Sequence, residues 1–301
     1  MLAISTTWNY NPDGDIKAWL KQVKALGLNV IELNYSLTRE HLAQLPALIK
    51  EMDLQVVSVH NFCPLPDVQG PSSRHASNYF RLSSLDEQER QNAVKWTKNT
   101  IDTAKSFGAS VVVVHAGTVE MGEDDRIPSL FDLFKAGKAG TPEYVAELKR
   151  ILDKRQKYAP VHLKALDKSF DEIMPYAKKL GIKIGLESRY YPSEIPNLEE
   201  VGHFLNQFYA QGLWYWHDVG HAEMNERLGI YSHEGILKAY REKMIGAHLH
   251  GMDGRKDHKA PFVGDMDLLK VLKYCTSDIL KVIETHQSSA EEMESAVRRL
   301  M

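Results

Sequence analysis

The chain has 301 residues, 43% of them hydrophobic, and 37 Lys plus Arg against 40 Asp plus Glu for a net charge of −3. That composition is enough for a large core; the near-neutral balance supplies no global field for nucleic acid or an anionic membrane surface, and no window approaches the ~18 apolar residues of a membrane span. The two cysteines, Cys63 and Cys275, form no spaced cluster, and the opening MLAISTTWNY has neither a basic n-region nor a long apolar h-region, so a reducing, cytoplasmic setting is expected.

In chain order, LAIST (2–6) reads as a strand, and a helix over 15–26 ends at the glycine of ALGLN. NVIELN (29–34) is the second strand, 38–52 a helix, and LQVVSVH (54–60) the third strand, followed by an insertion over 61–84. A helix over 86–107 opens at SLDEQE, and SVVVVHAG (110–117) is the fourth strand, leading into a second insertion over 116–141. A helix over 143–180, with a break expected at Pro160, stops at the glycine of KLGIK before the strand IKIGLES (182–188). Then come a helix at 197–210, the strand LWYWHD (213–218), a helix at 232–241, the strand MIGAHLH (244–250), a helix at 265–275, the strand ILKVIET (279–285) and a helix at 288–300 opening at SSAEEME.

Eight strands alternating with eight helices give an α/β fold: a single (β/α)8 TIM barrel over residues 1–301, with long loops after strands 3 and 4. An open doubly wound sheet is the competing reading, but it usually has fewer units and a glycine-rich phosphate turn, and no GxGxxG or GxxxxGK[ST] occurs. Both insertions follow strand C-termini, the catalytic end of such barrels, so they are expected to act as lids.

The strand ends carry Glu32, His60, His115, Glu187, Asp218, His248 with His250, and Glu284 with His286. In a barrel these converge on one mouth, where carboxylates and imidazoles destabilise one another unless something such as a divalent cation compensates. Bland readings stand beside this one. His217 alternates away from Asp218 and is expected between barrel and helices, Glu32 is equally a floor residue, and His286 lies past its strand and is expected to be solvated. Trp8 either walls the pocket or packs the core. Arg189 and Arg255 either fix hydroxyls or a negative substituent, or form surface salt bridges.

GLESR, HDVGHA, AHLHGMDGRKDH with the following VGDMD, and KVIE, in this order and spacing, resemble motifs of the xylose isomerase-like barrel superfamily. That superfamily holds sugar isomerases and epimerases, inosose dehydratases and endonuclease IV-type apurinic endonucleases. The resemblance covers essentially the whole chain. It implies one divalent metal ion (Mn, Mg, Co, Fe or Zn) held by Glu187, Asp218, His248 and Glu284, with the carboxylate-rich shell leaning toward the harder ions. It also implies Glu187 and Glu284 as the catalytic proton-transfer groups. His221 would be a substrate contact in an epimerase or a zinc ligand in an endonuclease, and His60 and His115 match histidines that hold an extra zinc in the endonucleases. With Arg189, Arg255 and His250, these three histidines are the substrate-binding candidates.

The implied activity is a metal-dependent isomerase or epimerase of a sugar, sugar phosphate or cyclitol, working by proton transfer next to a metal-chelated carbonyl. A keto-cyclitol dehydratase, a zinc-dependent phosphodiesterase acting on abasic DNA, and a degenerate barrel retained for binding are the alternatives. Adjacent Asp257 and His258 stand where the endonuclease pattern has Asp-x-His, and Gly251 where it has aspartate, which favours the sugar enzyme. A small sugar or cyclitol partner is expected, without nucleic acid or membrane; homo-oligomer formation is left open.

Overall fold

Short runs rich in Val and Ile, buried on both faces, form strands that only a parallel sheet covered by helices can hide from water. In the computed structural model, which describes residues 1–11, 13–67 and 76–301, these are β1 (Leu2–Ser5), β2 (Val30–Leu33), β3 (Gln55–His60), β4 (Val111–Val114), β5 (Lys183–Glu187), β6 (Leu213–Asp218), β7 (Met244–Leu249) and β8 (Leu280–Ile283). They pair in parallel in the order β1-β8-β7-β6-β5-β4-β3-β2 and close into a barrel. The expected (β/α)8 TIM barrel is the observed architecture.

The helices are α1 (Ile16–Ala25), α2 (Arg39–Met52), α3 (Glu87–Ser106), α4 (Pro128–Lys135), α5 (Pro142–Leu180), α6 (Leu198–Phe208), α7 (Val219–Arg227), α8 (His233–Tyr240), α9 (Leu269–Leu272) and α10 (Ala290–Leu300). Their ends follow local chemistry. Asp86 accepts from the amides of Gln88 and Glu89, Ser289 forms a capping box with Glu292, and Gly181 ends α5 at φ 73°.

Three expectations are corrected. The break at Pro160 does not occur: α5 runs unbroken for 39 residues through Pro160 and Pro175, both on exposed positions, where carbonyls freed by the missing N–H can meet water. The helix expected over 265–275 shrinks to α9, because its bonds (Val271 N–H to Leu268 O, Tyr274 N–H to Val271 O) are tight i to i+3 turns. Two elements were not foreseen, α4 inside the second insertion and α7 directly after β6. Part of the first insertion, residues 68–75, lies outside the described residues.

Strand alternation separates two layers. One side of each strand joins the large core under the helices, while Ala3, Val30, Val111, Val113, Trp216 and Val282 belong to a separate buried cluster inside the barrel. Two residues further along the same faces come Glu32, His115, Asp218 and Glu284, and Glu187 and His248 follow Gly185 and Gly246 in the same way. The apolar interior thus ends in a polar mouth. Trp216 is the largest side chain in the inner cluster, and neighbouring strands make room for it: a Cβ on Gly246 would lie 2.2 Å from its ring, and one on Gly185 3.1 Å. Its ring supports His248 from below, with centroids 5.1 Å apart. Trp8 is a core residue, buried with its indole N–H donated to Ser288 O at 3.1 Å.

A Gly246→Ala substitution overpacks the rigid Trp216 ring and is expected to cost about 1–3 kcal/mol. It should appear as a lower urea midpoint with unchanged far-UV circular dichroism. An unchanged midpoint would show that the indole can move aside freely.

Candidate metal centre and active-site cavity

Glu187 ends β5, Asp218 ends β6, His248 is the penultimate residue of β7, and Glu284 follows β8 directly. Parallel pairing sets Asp218 opposite His248. Asp218 is also the N-cap of α7, accepting the His221 amide at 2.8 Å, so its rotamer is fixed by the helix it starts. All four residues are buried, and one donor atom from each lies within 4.8 Å of every other. Donors on opposite sides of an ion at ~2.1 Å are ~4.2 Å apart. The set therefore closes around a divalent ion with a small inward adjustment.

His248 organises this floor. Its Nδ1 lies 2.9 Å from Glu284, 3.4 Å from Glu187 and 3.9 Å from Asp218, while Nε2 lies 3.1 Å from Glu32, itself held by the Ser58 hydroxyl at 2.7 Å. An imidazole between carboxylates on both nitrogens needs positive charge at Nδ1. A proton supplies it, and so does a coordinated cation, with Nε2–H donated to Glu32 in the carboxylate–histidine–metal manner. Burial pushes the Glu187 carboxyl up, but His115, His248 and His60 outweigh it and hold the group well below the usual range. Glu284 is likewise raised by burial and lowered further by His248 and His258, and Asp218 by His221 and His250. Three ionised, buried carboxylates facing one imidazole nitrogen fit a divalent metal.

Two outer donor groups share residues with this floor. His60 and His115 approach Glu187 Oε2 at 3.2 and 2.8 Å, with His60 Nδ1 donating to Asn61 O and His115 Nδ1 beside Asn78 Oδ1. On the other side, Asp218, His221 and His258 also bring donors within 4.8 Å of one another. His221 Nδ1 donates to Ser188 O at 2.8 Å, which leaves Nε2 facing Asp257 at 4.0 Å.

Above the floor is a cavity of about 470 Å³ whose lining includes Tyr35, His60, His115, Glu187, Arg189, Tyr190, Glu194, His221, Arg255 and Glu284. Most sequence-derived candidates meet here. His250 is placed differently from the substrate contact expected of it: fully buried, it does not line the cavity. The His258 amide donates to its Nδ1 at 3.0 Å, so Nε2 carries the proton and gives it to Asp218 at 3.1 Å. Arg189 is no surface salt bridge but a buried guanidinium bonded to Glu194 at 2.7 Å. His286, expected in solvent, stacks on His258 with centroids 4.4 Å apart. His217 sits as expected, bonded to Tyr215 and His233 outside the barrel.

Residues that sequence reasoning left out of the site include Tyr35, Ser77, Asn78, Arg126, Tyr190, Tyr191 and Glu194. All of these lie outside the barrel strands, where no periodic signal marks an inward face. Both insertions build the wall, the first through Ser77 and Asn78 and the second through Arg126. The second is tied down by Arg150 and Lys154 on Asp124 at 2.9 and 2.7 Å, and its Gly117–Thr118 pairs with Glu194–Ile195.

A family model described as a xylose isomerase-like TIM barrel matches residues 20–274. Among solved structures, 3-keto-D-glucoside 4-epimerase YcjR from E. coli is similar with a TM-score of 0.67 at 15% identity, covering 99% of this chain and 98% of that one. D-psicose 3-epimerase from Clostridium cellulolyticum H10 gives 0.64 at 14% identity, covering 99% and 97%. An L-ribulose 3-epimerase gives 0.65 at 13% identity, covering 99% and 85%. At such identities the likeness shows the fold. No curated protein matches the chain by sequence.

The purified protein is expected to carry about one divalent ion per chain, and Glu187→Ala and Asp218→Ala essentially none, by elemental analysis. Equal, negligible metal in all three would overturn the site. Glu32→Gln keeps the ligands but loosens His248, so chelator competition should show an affinity about 10–100-fold weaker.

Proposed function

The chain belongs to the xylose isomerase-like TIM barrel family, and we propose that it is a metal-dependent isomerase or epimerase of a sugar, sugar phosphate or cyclitol. The observation that carries this reading is the convergence of Glu187 and Glu284, from strands that are not neighbours, with Asp218 and His248 beneath one small-molecule-sized cavity. The epimerase names of the similar solved structures support it. The reading takes residues 1–301 as one domain.

A divalent ion held by Glu187, Asp218, His248 and Glu284 supplies Lewis acidity toward a substrate carbonyl and so acidifies the neighbouring C–H. Glu187 and Glu284 are the proton-transfer groups. They reach the reacting carbon from different sides of the barrel mouth, so one removes a proton from one face and the other returns it to the opposite face, inverting the centre. Return to the adjacent carbon instead gives isomerisation, and loss of a β-hydroxyl gives dehydration of a keto-cyclitol. His60 and His115 keep Glu187 oriented and ionised. His221 and Arg255 present donors to the substrate, and Tyr190 and Tyr191 exclude water from the upper cavity.

A zinc phosphodiesterase is the second reading. The two outer donor groups, which share Glu187 and Asp218 with the floor, favour it. Against it stands Gly251, at the position of the endonuclease aspartate: a Cβ there would meet the backbone carbonyls of Val263 at 2.1 Å and Ala260 at 2.4 Å, so no side chain fits without moving the chain.

The metal-loaded protein, incubated with ketoses in deuterated water, should place deuterium at the carbon beside the carbonyl. Glu187→Gln and Glu284→Gln should each lower turnover by roughly 10²–10⁴-fold. Rearrangement without exchange would replace proton transfer by a hydride shift. Chelator-sensitive nicking of abasic duplex DNA, weakening steeply with salt and lost in Glu187→Ala, would restore the phosphodiesterase.

A further inference from the structure

Most described arginines away from the cavity are tied to carboxylates, as in Arg90 with Glu172, Arg155 with Glu200, Arg227 with Asp265 and Arg241 with Asp278, Arg299 on the Phe262 ring being an exception. The cavity wall differs. Arg126 and Arg255 line it, and neither has an acidic partner among the described residues. Arg189 gives Nη2 to Glu194 at 2.7 Å and holds Nη1 3.8 Å from Glu187, yet its Nε and Nη1 make no hydrogen bond although the side chain is only 6% exposed. The Nε of Arg255 is also buried without a partner. Buried guanidinium donors lacking an acceptor are costly, and a ligand that supplies the acceptor recovers that cost on binding.

Geometry sharpens the point. The Arg255 guanidinium carbon lies over the Phe131 ring, 3.5 Å from its centroid, so one side is covered and the N–H groups are left for an acceptor on the open side. Phe131 belongs to α4 and Arg126 to the turn just before it, so the second insertion contributes both a cation and the plate that orients a second one. Burial and Glu194 raise the Tyr191 phenol, Arg126 and Arg255 act against that rise, and Asp257 adds to it, which puts both guanidiniums within reach of the same hydroxyl. The acids nearest this wall are already engaged, Glu194 with Arg189 and Asp257 with His258 at 3.3 Å. The cavity is therefore polar along its length, carboxylate-rich at the floor and cationic at the wall.

We infer that the substrate is an anionic sugar, a phosphate monoester on the end away from the reacting carbonyl, gripped by Arg126 and Arg255, with Arg189 nearer the floor, 3.8 Å from Glu187. A neutral hydroxyl can accept hydrogen bonds but brings no charge to set against guanidiniums that lack an acidic partner. A carboxylate offers two oxygens and matches one arginine fork, whereas a phosphate offers three and can engage both. This assignment rests on the isomerase reading.

The test uses the metal-loaded full chain, wild type and Arg126→Ala, on ketopentoses and ketohexoses presented as the free sugar, the terminal phosphate monoester and the terminal carboxylate. The phosphate form is expected to lead the free sugar in kcat/KM by roughly 100-fold, and Arg126→Ala to shrink that preference by about tenfold, mainly through KM. Calorimetric titration with inorganic phosphate should show binding that weakens by about tenfold in Arg126→Ala, which separates the wall from the metal as its seat. Turnover of free ketoses without preference for the phosphate overturns the anionic substrate and leaves the isomerase standing. A carboxylate form that outruns the phosphate overturns the phosphate class, and phosphate affinity indifferent to Arg126→Ala overturns the arginine wall. Arginine-dependent phosphate binding with no ketose turned over keeps the anion site and overturns the isomerase.

Discussion

Three ionised carboxylates, Glu187, Asp218 and Glu284, meet almost wholly buried around one imidazole nitrogen, and the rest of the mouth is arranged to make that tolerable. Removing a charge from water costs several kcal/mol even after relaxation, and like charges at these separations add to the cost. The structure answers with imidazoles: His60 and His115 on Glu187, His221 and His250 around Asp218, His258 on Glu284, and His248 among all three. Even so, His248 has carboxylates on both sides. A divalent cation discharges the floor more completely than protons can, because it carries two charges and accepts several lone pairs at once.

The barrel holds such a cluster in place because parallel strands end in register and alternate strictly. Asp218 and His248 are opposed across β6 and β7, and both stand above Trp216, whose bulk is accommodated by glycines on the flanking strands. Asp218 could otherwise rotate away from its neighbours, but capping α7 and accepting from His250 leave it one orientation. Glu32 and Ser58 perform the same service for His248 from the strands across the barrel. Rigid backbone, rather than any single strong bond, sets the donor spacing.

All eight strands were legible in the sequence as short Val- and Ile-rich runs bounded by glycines and caps, and strand alternation put their last residues at the mouth. The choice of Glu187, Asp218, His248 and Glu284 among them as a metal set came from the family resemblance. LWYWHD illustrates the alternation, with Trp216 and Asp218 inward and Tyr215 and His217 outward. What escaped has physical causes as well. The nine residues of α7 are mostly buried and have little amphipathic contrast, and the Asp218 cap that announces the helix doubles as the strand's last residue. Pro160 carried a breaker signal that exposed backbone made harmless. Arg126, Tyr35 and Glu194 come from loops, whose inward residues are decided by tertiary contacts alone. His250 was misjudged because its alternation faces the mouth, while the hairpin Gly251–Asp253 with Lys256–Lys259 folds back over it.

That hairpin ties a loop beyond the barrel strands to the residues of the floor. The His258 amide, on its return strand, fixes the tautomer of His250, and the proton so placed on Nε2 is the one given to Asp218. The His258 ring, stacked between His250 and His286, then turns its own Nε2 toward Glu284 at 3.5 Å. Gly251 is what lets the chain fold back this tightly, since any side chain there collides with backbone carbonyls. An aspartate in its place would have to push the hairpin outward, withdrawing His258 from the floor and releasing the His250 proton from its single orientation. The glycine and the adjacent Asp257 and His258 are therefore one structural solution rather than two separate departures. The hairpin lines one side of the cavity through Asp257 and His258 and, through the His258 amide on His250, helps hold Asp218 in position beneath it.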